Sequence, residues 1–174
     1  LSQAEHGVDS QAILVTASET IVEPVARAIQ EQLDRLPRKE ITEKSLAHSR
    51  ITVLKDSQEV VDFTNQYAPE HLIIQTADYT AIAERIENAG SVFMGPYTPE
   101  SAGDYASGTN HTLPTNGYAK AYSGVNLDSF IKKITFQEIS SDGIRALGST
   151  IQTMAANEQL DAHRNAVTIR LNTI

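Results

Sequence analysis

The chain has 174 residues, with 14 lysines and arginines against 22 aspartates and glutamates, which gives a formal net charge of −8. An acidic balance without a basic run argues against a nucleic-acid partner or a membrane surface. The absence of cysteine excludes disulfides, thiolate metal sites and a cysteine nucleophile. No apolar run reaches the length of a membrane span, so we expect a cytoplasmic protein.

The chain opens with LSQAEHG, which has the character of the last turns of a helix. Gly7 suits the left-handed residue that follows a helix end. A helix that begins in its own final turns predicts that this sequence is a fragment of a longer protein.

Apolar, strand-like runs then alternate with helical patterns. The predicted strands are 11–16, 51–54, 72–75 and 91–94, and the predicted helices are 19–36, 40–48, 57–67 and 79–88, the third capped by Ser57. This alternation predicts an α/β fold in which helices pack on the faces of a parallel sheet. No G-x-G-x-x-G fingerprint is present, so the chain lacks a standard dinucleotide-binding turn. Smaller elements follow: a helical turn at 127–132, a strand at 134–139, and helices at 142–156 and 161–172.

The segment 90–115 begins as a strand and continues as a long polar stretch that carries one carboxylate, Asp104, and one imidazole, His111. Loops longer than about 12–15 residues are usually functional or disordered. Because this one is compositionally varied and contains Tyr97 and Tyr105, we interpret it as an ordered, functional loop. Ligands of parallel sheets gather at the carboxyl ends of the strands, which is where this loop begins.

Several side chains have the chemistry to bind a metal or move a proton. They are Gln3, His6, Glu70, His71, Asp104, His111, Glu158 and His163. Gln3 and His6 lie three apart and would share one face of a helix. A converging set of imidazole, carboxylate and amide groups would suit zinc. The residues have no local spacing signature, however, so exposed helix positions, strand-entry pairs and turn caps remain open as ordinary alternatives.

Four motifs resemble histidinol dehydrogenase. They are LSQAEHG-x-DSQAILVT, YAPEHL, AGSVFMGPYTPES-x-GDYASGTNHTLPT and LDAH-x-x-AV-x-x-R. The resemblance runs the full length of the chain, in the order of the family, but covers only the later part of the family's sequence.

The resemblance implies an activity and its residues. The family oxidises L-histidinol through L-histidinaldehyde to L-histidine, the last steps of histidine biosynthesis, with two NAD⁺ in succession and one zinc ion per site. The implied zinc ligands are Gln3, His6, Asp104 and His163, which also bind substrate. Glu70 and His71 are the implied acid–base residues, and His71, His111 and Glu158 are implied substrate contacts.

The resemblance also implies an organisation. Residues 1–125 would be part of an incomplete Rossmann-like catalytic domain, 126–151 a small helix–strand dimerisation segment, and 152–174 a helical tail. The expected assembly is a homodimer in which Glu158 and His163 complete the partner's site. The NAD-binding surface would lie upstream, so the chain alone is expected to be inactive. A zinc hydrolase using Glu70 or His71, and a non-catalytic dimerisation fragment, are the alternatives.

Overall fold

The computed structural model describes all residues, 1–174, and its contacts divide the chain into two compact units, Leu1–Ile131 and Lys132–Ile174. The three-part division expected from the sequence stays a prediction. No helix is long and apolar enough to cross a membrane.

The first unit holds four strands: β1 (Ile13–Thr16), β2 (Arg50–Val53), β3 (His71–Ile74) and β4 (Ser91–Met94). Its α-helices are α1 (Val22–Leu33), α2 (Lys39–Leu46), α3 (Ser57–Tyr67), α4 (Tyr79–Ala83) and α5 (Glu100–Tyr105). Short 3₁₀ helices cover Gln3–Glu5, Glu19–Ile21, Tyr118–Lys120 and Leu127–Phe130. The second unit contains α6 (Ser141–Asn157) and α7 (Asp161–Leu171). The predicted α/β class, with parallel strands and flanking helices, is confirmed.

The strands form two separate parallel pairs, not the single sheet that the alternation suggested. β1 pairs with β2, and β3 pairs with β4 in a register that sets His71 opposite Ser91 and Ile73 opposite Phe93. Continuously apolar strands that alternate with helices indicate buried, parallel strands, but this pattern carries no information about which strand edges pair. The pairing therefore had to come from the structure.

The two faces of the β3–β4 pair have different surroundings. On one face Ile74 packs with Val61 of α3 and Ile82 of α4, and all three side chains are buried. The other face carries His71 and Phe93, whose side chains alternate with those of the first face along each strand. One face thus holds the core of this unit and the other is available for the candidate site.

In the second unit, α6 and α7 pack closely against each other. A side chain at Gly148 would place its Cβ 2.7 Å from Leu171, and the Gln152 amide donates to the Thr168 hydroxyl at 2.7 Å. The strand predicted at 134–139 is wrong: the segment is irregular, and its Phe136 is 90% exposed. No strand of this unit lies beside it, and an unpaired strand has no hydrogen-bond partners to stabilise it.

Candidate functional site

The first residues of the chain form an anchored turn. Ala4 is fully buried within the 3₁₀ helix Gln3–Glu5, which lies against α2, and the backbone nitrogen of His6 donates to the Gln3 carbonyl at 3.3 Å. Gly7 does not take the left-handed conformation predicted for it; the backbone simply stays right-handed through His6. Gln3 and His6 therefore lie on either side of the buried Ala4 and its neighbour Glu5.

A candidate metal centre forms where this turn meets α5. One ring nitrogen of His6 and one carboxylate oxygen each of Glu100 and Asp104 lie within 4.8 Å of one another. The Gln3 amide nitrogen donates to a Glu100 oxygen at 2.7 Å, across 97 residues of sequence. Three of the predicted ligands, Gln3, His6 and Asp104, are thus brought to one place. An imidazole, an amide and two carboxylates are a suitable set for a borderline divalent cation such as zinc.

Glu100 was missed by the sequence analysis because 95–115 was interpreted as an irregular loop. That interpretation was wrong for Glu100–Tyr105, which is α5. Asp104 lies four positions after Glu100, so the two carboxylates share one helix face. The available signal was this i, i+4 acidic pair, but a polar segment without apolar periodicity gave no reason to place it on a helix.

His71 lies at the start of β3 with its ring stacked on Phe93 of β4, the ring centroids being 6.0 Å apart. Its Nε2 is buried and has no hydrogen-bond partner. Buried polar atoms are nearly always paired, so an unpaired ring nitrogen is a group left free for a ligand. This nitrogen can accept or donate a proton.

Glu70 precedes His71 and is held through its backbone. The Glu70 carbonyl accepts from the Ser91 nitrogen at 2.9 Å, which extends the β3–β4 pairing by one residue. A Cβ at Gly90 would lie 2.5 Å from the same carbonyl oxygen, so only glycine fits there. Glu70 therefore has a fixed backbone immediately before His71, and its side chain is half-buried.

Phe93 contacts both His71 and α5, the helix of the candidate metal centre. Gly103, the neighbour of Asp104, lies so close that a Cβ there would be 2.7 Å from the Phe93 ring. The Thr109 hydroxyl donates to the Gly103 carbonyl at 3.2 Å and fixes the chain that leaves α5. The stacked imidazole and the acidic helix therefore contact the same phenyl ring.

The remaining predicted residues stand apart from this cluster or in the other unit. His111 follows α5 and is exposed. Glu158 ends α6, and His163 lies in the first turn of α7, both exposed within the second unit. Their roles stay predictions.

Comparison with known proteins gives one family. The histidinol dehydrogenase family profile matches residues 1–171. Over 174 residues the chain is 64% identical to the histidinol dehydrogenase of Bacteroides thetaiotaomicron and 52% identical to that of Campylobacter jejuni, covering all of itself and 41% of each relative. A crystal structure of histidinol dehydrogenase from Elizabethkingia anophelis matches with a TM-score of 0.91 at 53% identity, over 99% of this chain and 40% of that one. The chain spans about two fifths of the relatives it matches, and it belongs to the histidinol dehydrogenase family.

Proposed function

We propose that this chain forms part of a zinc- and NAD-dependent enzyme of the cytoplasm that oxidises L-histidinol through L-histidinaldehyde to L-histidine. The observation that carries the proposal is the convergence of His6, Glu100 and Asp104, with Gln3 bonded to the same group. Membership of the family supports it.

The residues present fit a zinc ion. Gln3, His6 and Asp104 would hold it, with the partner's His163 as the fourth ligand. When bound, zinc supplies a positive charge that binds and orients the imidazole and amino groups of histidinol. The proton transfers of the reaction are carried out by the protein's own side chains.

His71 is the proton acceptor of this proposal. Its buried, unpaired Nε2 takes the alcohol proton of histidinol while the hydride on the same carbon leaves for NAD⁺, which forms the aldehyde and NADH. Glu70 then accepts a proton from water as the water oxygen adds to the aldehyde carbon, and protonated His71 returns its proton to the aldehyde oxygen, which gives the hydrate and a neutral His71. In the second oxidation His71 removes a hydroxyl proton of the hydrate as hydride passes to a second NAD⁺, which yields the carboxylic acid.

The other predicted contacts complete the site. His111 and Glu158 would hold the substrate by hydrogen bonds, and the NAD⁺ surface would lie outside this chain. We propose a homodimer in which Glu158 and His163 enter the partner's site. Because the proposed NAD⁺ surface lies outside these 174 residues, we expect them to have no activity alone.

The first test is NADH formation from histidinol by the full-length protein. Loss of a general base typically costs about 10²–10⁴-fold in rate, so His71→Asn should lower kcat by that order while zinc content stays unchanged. His48→Asn is the matched control, because His48 is exposed and outside the site. Wild-type protein that makes no NADH would overturn the proposal and favour a hydrolase or a non-catalytic module.

The shared site has a separate test by complementation. In a mixed dimer of His71→Ala and His163→Ala chains, one site carries both substitutions and the other carries neither. Random mixing gives half heterodimers, so activity should recover to about a quarter of the wild-type level. Mixed chains that show no recovery would contradict the shared site.

A further inference from the structure

We propose that Glu100 is a positioning residue that fixes the Gln3 amide so that its oxygen faces the metal. The starting observation is the 2.7 Å hydrogen bond from the Gln3 Nε2 to the Glu100 Oε1. Glu100 is only 3% exposed, so this bond is made away from solvent. The inference rests on the proposed zinc site.

The chemistry of the two groups sets the orientation. An ionised carboxylate can only accept hydrogen bonds, so the amide must turn its NH₂ group toward Glu100. The amide oxygen then points away from Glu100. Zinc takes oxygen, nitrogen and sulfur lone pairs, and an amide offers its lone pair at oxygen. Without Glu100, rotation of the amide by half a turn would present N–H groups to the cation.

The position of Glu100 gives it this role and leaves direct ligation to others. Glu100 begins α5 and Asp104 lies one turn later, so one short helix carries both the residue that orients Gln3 and a proposed metal ligand. One Glu100 oxygen already accepts the Gln3 proton in a buried setting, whereas His6 is exposed and Asp104 half-buried. The accessible side of the cluster therefore belongs to His6 and Asp104.

The charge of Glu100 adds to the effect. A buried carboxylate is costly unless a cation or strong hydrogen bonds compensate it, and its polar contact in the structure is a neutral amide. A divalent cation at His6 and Asp104 would offset the charges of Glu100 and Asp104 together. Glu100 thus favours the metal-bound state through both orientation and charge.

The test is zinc affinity, measured by competition with a chelator on the full-length protein. Removing an outer-shell partner typically weakens metal binding by about 10–100-fold, and Glu100→Gln should fall in that range because an amide at this position can pair with Gln3 in either orientation. Glu5→Gln, half-buried in the same turn as Gln3, is the control and should bind zinc as the wild type does.

A double-mutant cycle separates positioning from ligation. Removing the charge of Glu100 weakens zinc binding in either background, but the orienting effect needs Gln3, so Glu100→Gln should weaken zinc binding clearly less in a Gln3→Ala background than in the wild type. Fully additive losses, as expected for an independent ligand, or an unchanged affinity in Glu100→Gln, would overturn the proposal. If Glu100→Gln does not fold, Glu100→Asp in the same cycle decides, because it keeps the charge and withdraws the carboxylate from Gln3. A wild-type protein that binds no zinc would instead overturn the proposed function itself.

Discussion

The imidazole of His71 is stacked on the phenyl ring of Phe93, with centroids 6.0 Å apart and planes 22° from parallel. The two residues belong to paired strands, and Phe93 lies two positions beyond Ser91, the partner of His71 in the register. Because Gly103 of α5 lies close to the same ring, one buried phenylalanine supports both the proposed base and the helix of the candidate metal centre. We therefore predict that Phe93 positions His71 and that its replacement lowers the catalytic rate.

Replacing Phe93 tests this support directly. Phe93→Leu keeps an apolar side chain but removes the stacking surface, which is worth about 0.5–1.5 kcal/mol in aromatic pairs. We expect a similar loss in the free energy of unfolding and a fall in kcat of about tenfold, because the His71 ring loses its fixed orientation. Steady-state kinetics and urea denaturation of the full-length protein measure both.

Phe63→Leu is the matched control, because Phe63 stacks on Tyr67 within α3, with centroids 6.1 Å apart, and neither residue belongs to the candidate site. It should lose comparable stability and keep its kcat. Equal kcat values for Phe93→Leu and wild type would contradict the positioning role.

Gly103→Ala sets helix propensity against packing. Alanine in a helix is favoured over glycine by about 1 kcal/mol. The new Cβ, however, would lie 2.7 Å from Cε1 and 3.0 Å from Cζ of the buried Phe93 ring. Overpacking a core typically costs about 1–3 kcal/mol, which exceeds the gain in helix propensity. The variant should therefore have a lower free energy of unfolding in urea denaturation.

Gly143→Ala in α6 provides the comparison. There the added Cβ would meet side-chain atoms of Ile139 and Ser140 at 3.1 and 3.3 Å, which can move by a few tenths of an ångström. This variant should be neutral or slightly more stable. A Gly103→Ala protein as stable as Gly143→Ala would show that Phe93 does not confine α5.

β4 and α4 show which element bounds can be predicted from the sequence and which cannot. Ser91–Met94 was predicted with the bounds it has, because a short apolar run followed by glycine is typical of a buried strand. α4 was predicted to reach residue 88 but ends at Ala83, where the Asn65 amide donates to the Arg85 carbonyl and its oxygen accepts from the nitrogens of Glu87 and Asn88. Local patterns cannot reveal that a distant side chain takes the hydrogen bonds of the next helical turn.

In the candidate site, too, some residues can be identified from the sequence and others only from contacts in the fold. The motifs resembling the family identified Gln3, His6 and Asp104 as neighbours in function, and the structure places them together. Phe93 could not be identified, because its contacts with His71 and Gly103 are made across the fold and nothing local distinguishes it from an ordinary core aromatic. Glu100 has a local signal, its i, i+4 spacing from Asp104, but its hydrogen bond to Gln3 comes only from the fold.

The N-terminus of α3 gives a prediction on stability. The sequence suggested Ser57 as its cap, but the Asp56 carboxylate accepts from the nitrogens of Gln58 and Glu59, each at 3.0 Å. Loss of an N-cap costs about 1 kcal/mol, so Asp56→Ala should lower the free energy of unfolding by that amount. Ser57→Ala should leave it nearly unchanged. If urea denaturation shows a larger loss for Ser57→Ala than for Asp56→Ala, Ser57 is the cap after all.

Tyr67 gives a prediction on alkaline pH. Partial burial raises the pKa of Tyr67, which is 39% exposed and whose hydroxyl donates to the Gln11 side-chain oxygen at 2.7 Å. A raised pKa means that the folded state keeps the phenol proton when the unfolded state has begun to lose it. The stability that depends on the neutral phenol is therefore fully present below the unfolded pKa of about 10 and is lost as pH rises through the folded value.

Tyr67→Phe should remove this dependence at the cost of one hydrogen bond, worth about 1 kcal/mol at neutral pH. Its free energy of unfolding should then decline less steeply than that of the wild type when urea denaturation is repeated above pH 10. Tyr97→Phe is the control, because Tyr97 is 95% exposed and its substitution should leave the alkaline decline unchanged. If Tyr67→Phe and wild type lose stability in parallel above pH 10, the Tyr67 phenol is not held neutral by the fold.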